Sequence, residues 1–405
     1  DNYVFFAENQ RISADMRLRA DDGMGVQIYS NDSTETKQDL SVSLNQFDLQ
    51  KVLAVVPYAP QVAGLLNGDF HWTVSEEGSM SVSSSVSVDR MAYEGCPIGN
   101  LSSEFVYMPK DNGKEHYVDG TLSMDDYEVC ALSGMYNAEG EGSIDADMTL
   151  SRTPLLLLNG FVPDRLIHFK GYAQGEVKVK GSLSRPDVNG ELYFDSAYVA
   201  SDPYGVQMRL CDDQLTINNS RLQFENFQMF ARNGNALTLY GYFDFANFDR
   251  MKTYLRMRAD NYLLIDAKEN ARSEAFGKAY VNFLGLVDGP LDALRMRGKL
   301  DVLGSSDVTY ILRDSPLSTE NQLDGLVKFV NFRKPETATV AKPPINGLNM
   351  DLTVNVDDGA HVLCALNPDK SNYVDLRGGG NLRMLYTAID GLSLYGRYTI
   401  AEGEM

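Results

Sequence analysis

Apolar and polar residues alternate along most of this chain. The stretches SMSVSSSVSVDR (79–90), EVKVKGSL (176–183), ELYFDSAYV (191–199), LTLYGYFDF (237–245), LRMRGKLDV (294–302), MDLTVNV (350–356) and LSLYGRYTI (392–400) all carry the pattern. Successive side chains of a strand point to opposite faces, so each stretch predicts a strand with one dry and one wet face. Asn, Asp and Gly punctuate them: DDG at 21–23, NG at 67–68, DNG at 111–113, NG at 189–190, NG at 233–234 and DDG at 357–359. These are hairpin and turn signals. The chain therefore reads as all-β, an antiparallel or meandering sheet. Helical pattern is confined to short pieces in 49–66, interrupted by Pro57 and Pro60, in 153–166, with Pro154 near its start, and in 266–277. The Pro- and Thr-rich stretch 332–347 reads as a linker or loop between 1–331 and 348–405. The sheet pattern continues on both sides of it, as one elongated domain.

One feature of the pattern is unusual for strands. Gly241 sits on the apolar face between Leu237, Leu239, Phe243 and Phe245. Gly298 sits likewise between Leu294, Met296, Leu300 and Val302, and Gly396 between Leu392, Leu394, Tyr398 and Ile400. Gly181 and Gly285 have three of the four apolar flanks. Chance supplies about one full match at this composition. Glycine packs nothing and weakens a strand interior. On the inside of a sharp bend, however, it removes a collision. The five glycines thus predict bent strands, and a row of bent strands forms a trough. Ordinary glycine-containing strands or bulges in a sandwich fit the same pattern.

The 405 residues are 43% hydrophobic, ample for a sizeable core. Lys and Arg number 36 against 56 Asp and Glu, a net charge of −20. That argues against nucleic acid, whose binding rests on neutralising phosphates, and against docking on an anionic lipid surface. No apolar run approaches 18 residues, so no helical membrane span is predicted. The chain starts inside strand-like sequence and stops directly after a strong strand, so it reads as a segment of something longer.

Catalytic chemistry is hard to find. Cys96, Cys130, Cys211 and Cys364 are far apart, with no CxxC, and fit buried free thiols or, in an oxidising compartment, one or two disulfides. His71, His116, His168 and His361 are isolated. There is no HExxH, GxSxG or Walker A pattern. Asp125–Asp126, Asp212–Asp213 and Asp357–Asp358 read as turns, and adjacent residues on a strand face opposite ways. The reading is therefore non-enzymatic, with no catalytic residue, metal site or cofactor. What remains is apolar surface: core if the sheet closes, a site for something greasy if it stays open.

The run GEVKVKGSLSRPDVNGELYFDSAYV, from Gly175 to Val199, resembles the repeating unit of the TamB family within the AsmA-like superfamily. It matches through Gly175, Val177, Val179, Gly181, Leu183, Pro186, Val188, Gly190, Leu192, Phe194, Ala197 and Val199. A looser copy spans Phe276 to Leu312, where Val281, Phe283, Gly285 and Pro290 follow Val177, Val179, Gly181 and Pro186 at a constant offset of 104. NLRMLYTAIDGLSLYGRYTIAEGEM at the end and LLNGDFHWTV near residue 70 are further echoes. The resemblance covers most of 40–405, and its order and repetition make it specific.

The resemblance implies an elongated, continuously curled antiparallel or mixed sheet, a β-taco, that encloses a hydrophobic groove, with a few short helices. It implies a periplasmic location in a diderm bacterium, with an inner-membrane anchor in the full-length protein. The implied function is phospholipid transport between the two membranes in support of outer-membrane biogenesis. The alternative is a scaffold or chaperone for β-barrel assembly and protein secretion by strand augmentation. The implied partners are phospholipid or another acyl-chain lipid, and a BamA/TamA-like outer-membrane barrel met through a region outside this chain. Membrane contact would be made only through termini outside it. The expected groove lining is Val177, Val179, Leu183, Leu192, Phe194, Leu237, Leu239, Phe243, Phe245, Leu294, Met296, Leu300, Val302, Leu352, Val354, Leu392, Leu394 and Ile400. Gly181, Gly241, Gly285, Gly298 and Gly396 are expected at the strand bends. A ~16-carbon chain gains roughly 12 kcal/mol when covered, at about 0.8 kcal/mol per CH₂. A uniform groove would let it slide cheaply. Some 25–30 strands at ~4.8 Å spacing would exceed 100 Å.

Overall fold

In a computed structural model, the chain is described over residues 2–6, 11–31, 36–54, 61–93, 95–110, 114–161, 167–270, 273–311, 348–367, 370–387 and 391–404. The strands of the first half are β1 (Tyr3–Phe6), β2 (Ile12–Arg19), β3 (Gly25–Ser30), β4 (Thr36–Asp48), β5 (Val62–Ser75), β6 (Met80–Tyr93), β7 (Cys96–Pro109), β8 (Glu115–Met124), β9 (Tyr127–Asn137), β10 (Ser143–Pro154), β11 (His168–Ser182) and β12 (Arg185–Ser201). Those of the second half are β13 (Val206–Leu210), β14 (Leu215–Asn218), β15 (Arg221–Phe230), β16 (Ala236–Asp244), β17 (Lys252–Ala267), β18 (Ala275–Pro290), β19 (Leu294–Val302), β20 (Asp307–Ile311), β21 (Leu348–Val356), β22 (His361–Ala365), β23 (Tyr373–Thr387) and β24 (Gly391–Glu404). All belong to one long, curled, mixed sheet.

Each strand from β1 to β12 pairs antiparallel with the next. β13 and β14 then lie end to end between β12 and β15. The meander resumes through β18. β19 and β20 share the far edge of β18. β21 and β22 pair with them in parallel, so strands from both sides of 332–347 join one ladder. The expected linker itself lies outside the described residues. β23 and β24 complete the order.

Helix is scarcer than the sequence pattern predicts. α1 is Leu49–Leu53, with the Asp48 carboxylate accepting from the Gln50 and Lys51 amides. The leucine run forms a short 3₁₀ helix, Leu155–Phe161. The expected helix at 266–277 is instead the end of β17, a connection and the start of β18. There the Glu274 and Ala275 amides donate to the Pro203 carbonyl, at 2.7 and 2.9 Å, so tertiary pairing overrides local propensity. DDG at 21–23, NG at 233–234 and DDG at 357–359 lie between strands. DNG at 111–113 falls outside the described residues. NG at 67–68 and at 189–190 lies inside β5 and β12, not in turns.

A line of β-bulges explains the curl. Gln46, Arg90, Arg152, Ser196, Asn226 and Asn261 all have left-handed φ, between 47° and 61°. Each coincides with a register shift on its strand. A bulge adds one residue to one strand, bends it and raises local twist. Repeated on β4, β6, β10, β12, β15 and β17, it bends the sheet along its length. Three bulged amides are satisfied by an asparagine side chain on the neighbouring strand: Gln46 N donates to Asn67 Oδ1 at 2.9 Å, Arg90 N to Asn100 at 2.9 Å and Asn261 N to Asn282 at 2.7 Å. Asn67 of the Asn-Gly pair therefore serves a bulge.

Serine hydroxyls replace missing rungs elsewhere. Ser30, Ser220 and Ser306 are buried, and each Oγ both accepts an amide and donates to a carbonyl of the adjacent strand. Their partners are Ala14 N and O, Val188 N with Pro186 O, and Tyr280 N and O. The last two hydroxyls stand just past β14 and just before β20, where the strand run is interrupted.

Candidate functional site

The register aligns one face of the sheet into rows of apolar side chains. One row runs from Met16 through Ile28, Val42 and Phe70, passes Phe105, Leu132 and Met148, and reaches Val177, Ile217, Leu222 and Phe243. Ser84, Gly120 and Gly190 fill the remaining places in it. A neighbouring row joins Phe227, Leu239, Met257, Gly285, Gly298, Leu352, Met384 and Leu394. The next joins Met229, Leu237, Ala259, Phe283, Leu300, Val354, Leu382 and Gly396. Alternation, reset at each bulge, keeps these residues on one side, apart from the polar set.

The opposite face is charged. Lys178 bridges Asp147 at 3.3 Å, Lys180 bridges Asp145 at 3.0 Å, Arg295 and Arg297 both reach Asp288, and Arg383 meets Asp351. Hydrogen bonding and charge from Lys180, with Lys178, hold the Asp145 carboxyl below the usual range. These side chains are mostly solvated, so each pair adds little stability. They make this face polar while the other is apolar.

Most of the predicted lining residues come together on the apolar face. Val177, Val179, Leu192 and Phe245 pack in one cluster with Val188 and Ile217. Leu192, Phe194, Leu237 and Leu239 belong to a second. Leu237, Leu300 and Val302 pack in a third, around Tyr262 and Val281. Phe243 stacks on Phe245, ring centroids 6.0 Å apart. Met296 lies opposite Met350, and Leu294 opposite Leu348. Leu352 and Val354 are buried. Three of the predicted lining residues are exposed rather than packed. Leu183 lies in the β11–β12 turn and is exposed, and Leu394 and Ile400 are exposed on the outermost strand β24. The Leu392 side chain is outside the described residues.

The five glycines occupy different settings. Gly241 has φ +136° and Gly396 +144°. A Cβ on Gly241 would overlap the Tyr254 carbonyl and lie 3.2 Å from Leu255 Cα. Gly285 and Gly298 face each other across β18 and β19, and a Cβ on Gly298 would lie 2.9 Å from Gly285 Cα. Gly285 is itself covered by the Phe283 ring. From Gly241 to Gly285 and Gly298 to Gly396, each step moves one row further along the strands. The close-approach glycines thus form a diagonal. Gly181 pairs with Pro186 beside the β11–β12 turn.

Several apolar-face residues escaped period-two reading, notably Ala197, Leu215, Phe224, Phe227 and Met229. In RLQFENFQMF the left-handed Asn226 inserts one residue, so Leu222 and Phe224 share a face with Phe227 and Met229. Ser196 does the same between Phe194 and Ala197. A polar residue that breaks alternation between two apolar phases was the available signal.

Among the described residues no group of three His, Cys, Asp or Glu side chains is arranged to hold a metal. No helix among them is long and apolar enough to cross a membrane. Residues 225–405 match the family model of the TamB C-terminal domain. The match begins inside β15 and leaves the 175–199 unit outside it. No curated protein and no solved structure matches the chain.

Proposed function

With residues 225–405 a TamB C-terminal domain, the chain is a member of a translocation-and-assembly family of Gram-negative envelopes, and from that premise we propose that its apolar face carries the acyl chains of phospholipid across the periplasm. The observation that carries the reading is the continuity of the apolar rows. The Met16–Phe243 row crosses β2 to β16 with only serine and glycine interrupting it. One stripe aligned over so many strands offers an extended acyl chain a continuous apolar surface. Covering a ~16-carbon chain gives roughly 12 kcal/mol, enough to hold lipid away from a bilayer. Transport along this segment is passive, resting on the apolar surface alone.

The test is native mass spectrometry with organic extraction on protein purified without added lipid. Co-purifying phospholipid, lost on Val86→Arg, supports the conduit. Val86 is half exposed on the apolar face between Gly68 and Ser103, so an arginine fits there without a core collapse. Leu239→Arg is a poorer probe, because Leu239 is buried and a charge there would unfold its surroundings. A protein that neither retains phospholipid nor takes it up from vesicles would overturn the reading.

A second reading is a scaffold for outer-membrane strands, acting with a BamA/TamA-like barrel. Neither β1 nor β24 contains proline. An open edge without proline can accept a further strand. Crosslinking of β24 to barrel strands in lipid-free protein would favour it.

A further inference from the structure

The apolar face is not uniform along the sheet. On β4 to β7 its residues Val42, Phe70, Val86 and Phe105 are all half exposed. On β12 to β16 part of the same face is filled: Phe227 is 4% exposed, Leu239 7% and Leu215 2%, with Phe194 and Phe224 half buried beside them. The rings of Phe194 and Phe227 meet edge to face with centroids 6.0 Å apart, and Phe224 lies 5.7 Å from Phe227. Phe194 is on β12 and Phe227 on β15, with β13 and β14 between them. Two strand spacings in a flat sheet are ~9.6 Å. The rings therefore lean together across that gap, beside the bulges at Ser196 and Asn226 that bend β12 and β15. Leu155, from the 3₁₀ helix, joins the same cluster.

The backbone holds this bend. The turn between β12 and β13 passes the short β15–β16 hairpin and bonds to the far side. Pro203 O accepts from Glu274 N and Ala275 N, and Gly205 O accepts from Asp266 N at 3.1 Å. Spreading the sheet here would break these bonds, whereas swinging a phenyl ring breaks none. We propose that the Phe194–Phe224–Phe227 cluster is a hydrophobic neck in the groove, normally filled by its own side chains, and that Phe227 sets how readily an acyl chain passes from the β4–β7 segment towards β24. The neck rests on the acyl-chain reading and adds a point of resistance that a uniform groove lacks. It makes Phe227 a selectivity residue: a chain enters only by displacing its ring.

A phospholipid with a diazirine at the end of one acyl chain, offered to the full chain in phosphatidylethanolamine–phosphatidylglycerol vesicles, reads the neck directly. After photolysis, labelled residues are mapped by peptide mass spectrometry. The expected wild-type label falls on β4–β7 and is at least fivefold weaker on 222–239. Phe227→Ala should remove that deficit, and Phe227→Leu should reduce it. The leucine variant stands in if the alanine variant does not fold. Equal labelling of both regions in the wild type, or a deficit that neither variant changes, overturns the neck and leaves the conduit standing. Absence of label from the apolar face in every protein removes the conduit itself, and the neck with it.

Discussion

Replacing Gly241 by alanine separates backbone strain from backbone crowding. Gly241 has φ +136°, where an L-residue is strained by about 1–3 kcal/mol. Its new Cβ would overlap the Tyr254 carbonyl oxygen and lie 2.9 Å from the carbonyl carbon. Those atoms belong to the paired strand β17, so no side chain can turn aside to make room. Forcing the strands apart adds about 1–3 kcal/mol, as in an overpacked core. The expected total is about 4 kcal/mol. Gly234 is the control: its φ is +84°, and a Cβ there meets nothing within 4 Å. Gly234→Ala should cost only strain, about 1–2 kcal/mol. A sheet this long opens locally, so hydrogen exchange of the β16 and β17 amides is the assay. The difference of about 2–3 kcal/mol corresponds to roughly a hundredfold faster exchange in Gly241→Ala than in Gly234→Ala. Equal exchange in the two variants would refute the crowding argument and leave Gly241 as a residue chosen for φ alone.

Other expectations follow from single contacts. Tyr262 is buried, and its hydroxyl has no hydrogen-bond partner among the described residues, so Tyr262→Phe should stabilise by about 1 kcal/mol and raise the melting midpoint; an unchanged or lower midpoint means that the hydroxyl is partnered. Asn100→Ala and Asn282→Ala remove the acceptors of the Arg90 and Asn261 amides and should each cost about 1 kcal/mol, seen as faster exchange confined to those bulges. His361 lies between Asp307 at 2.8 Å and Asp375 at 2.7 Å. Burial lowers its pKa, but the two carboxylates outweigh burial and raise it above the usual value. Their contribution is therefore full below pH ~6.5 and is lost as the pH rises through the folded value. Asp307 is largely solvated, and Arg377 faces His361 across β22 and β23, so the effect should stay below about 1 kcal/mol. Denaturation midpoints measured upward from pH 6.5 should fall in the wild type and stay flatter in His361→Gln.

The strands were legible where alternation is unbroken. Stretches 176–183, 237–245, 294–302 and 350–356 all lie in or along β11, β16, β19 and β21. The family was legible too, through spaced glycines and prolines such as Gly285 and Pro290, which fall within the matched residues 225–405. Bulges were not. Asn226 and Ser196 shift the phase by one residue, which hid Phe227 and Ala197 from a period-two template. Asn-Gly is a strong hairpin signal, yet at 67–68 the asparagine accepts the Gln46 amide and the glycine sits under the Phe70 ring. Partners of that kind are distant in sequence and have no local signature. The segment 266–277 failed similarly, since its amides are taken by Pro203. Which part of the apolar face is open and which is filled depends on curvature, and no single strand encodes that.

The parallel pairing of β19 with β21 and β20 with β22 gives the molecule a seam. Elsewhere most neighbouring strands are also neighbours in the chain, so a hairpin ties each pair. Here Leu294–Val302 pairs with Leu348–Val356, and Asp307–Ile311 with His361–Ala365, in parallel, so no tight hairpin ties either pair. Such pairing cannot nucleate from a tight turn and must wait until both surfaces exist. The tail from β21 to β24 is therefore an addition to a finished edge, docked late and in principle suppliable as a separate piece. The same edge that receives it would, in its absence, be open to any strand of matching pattern.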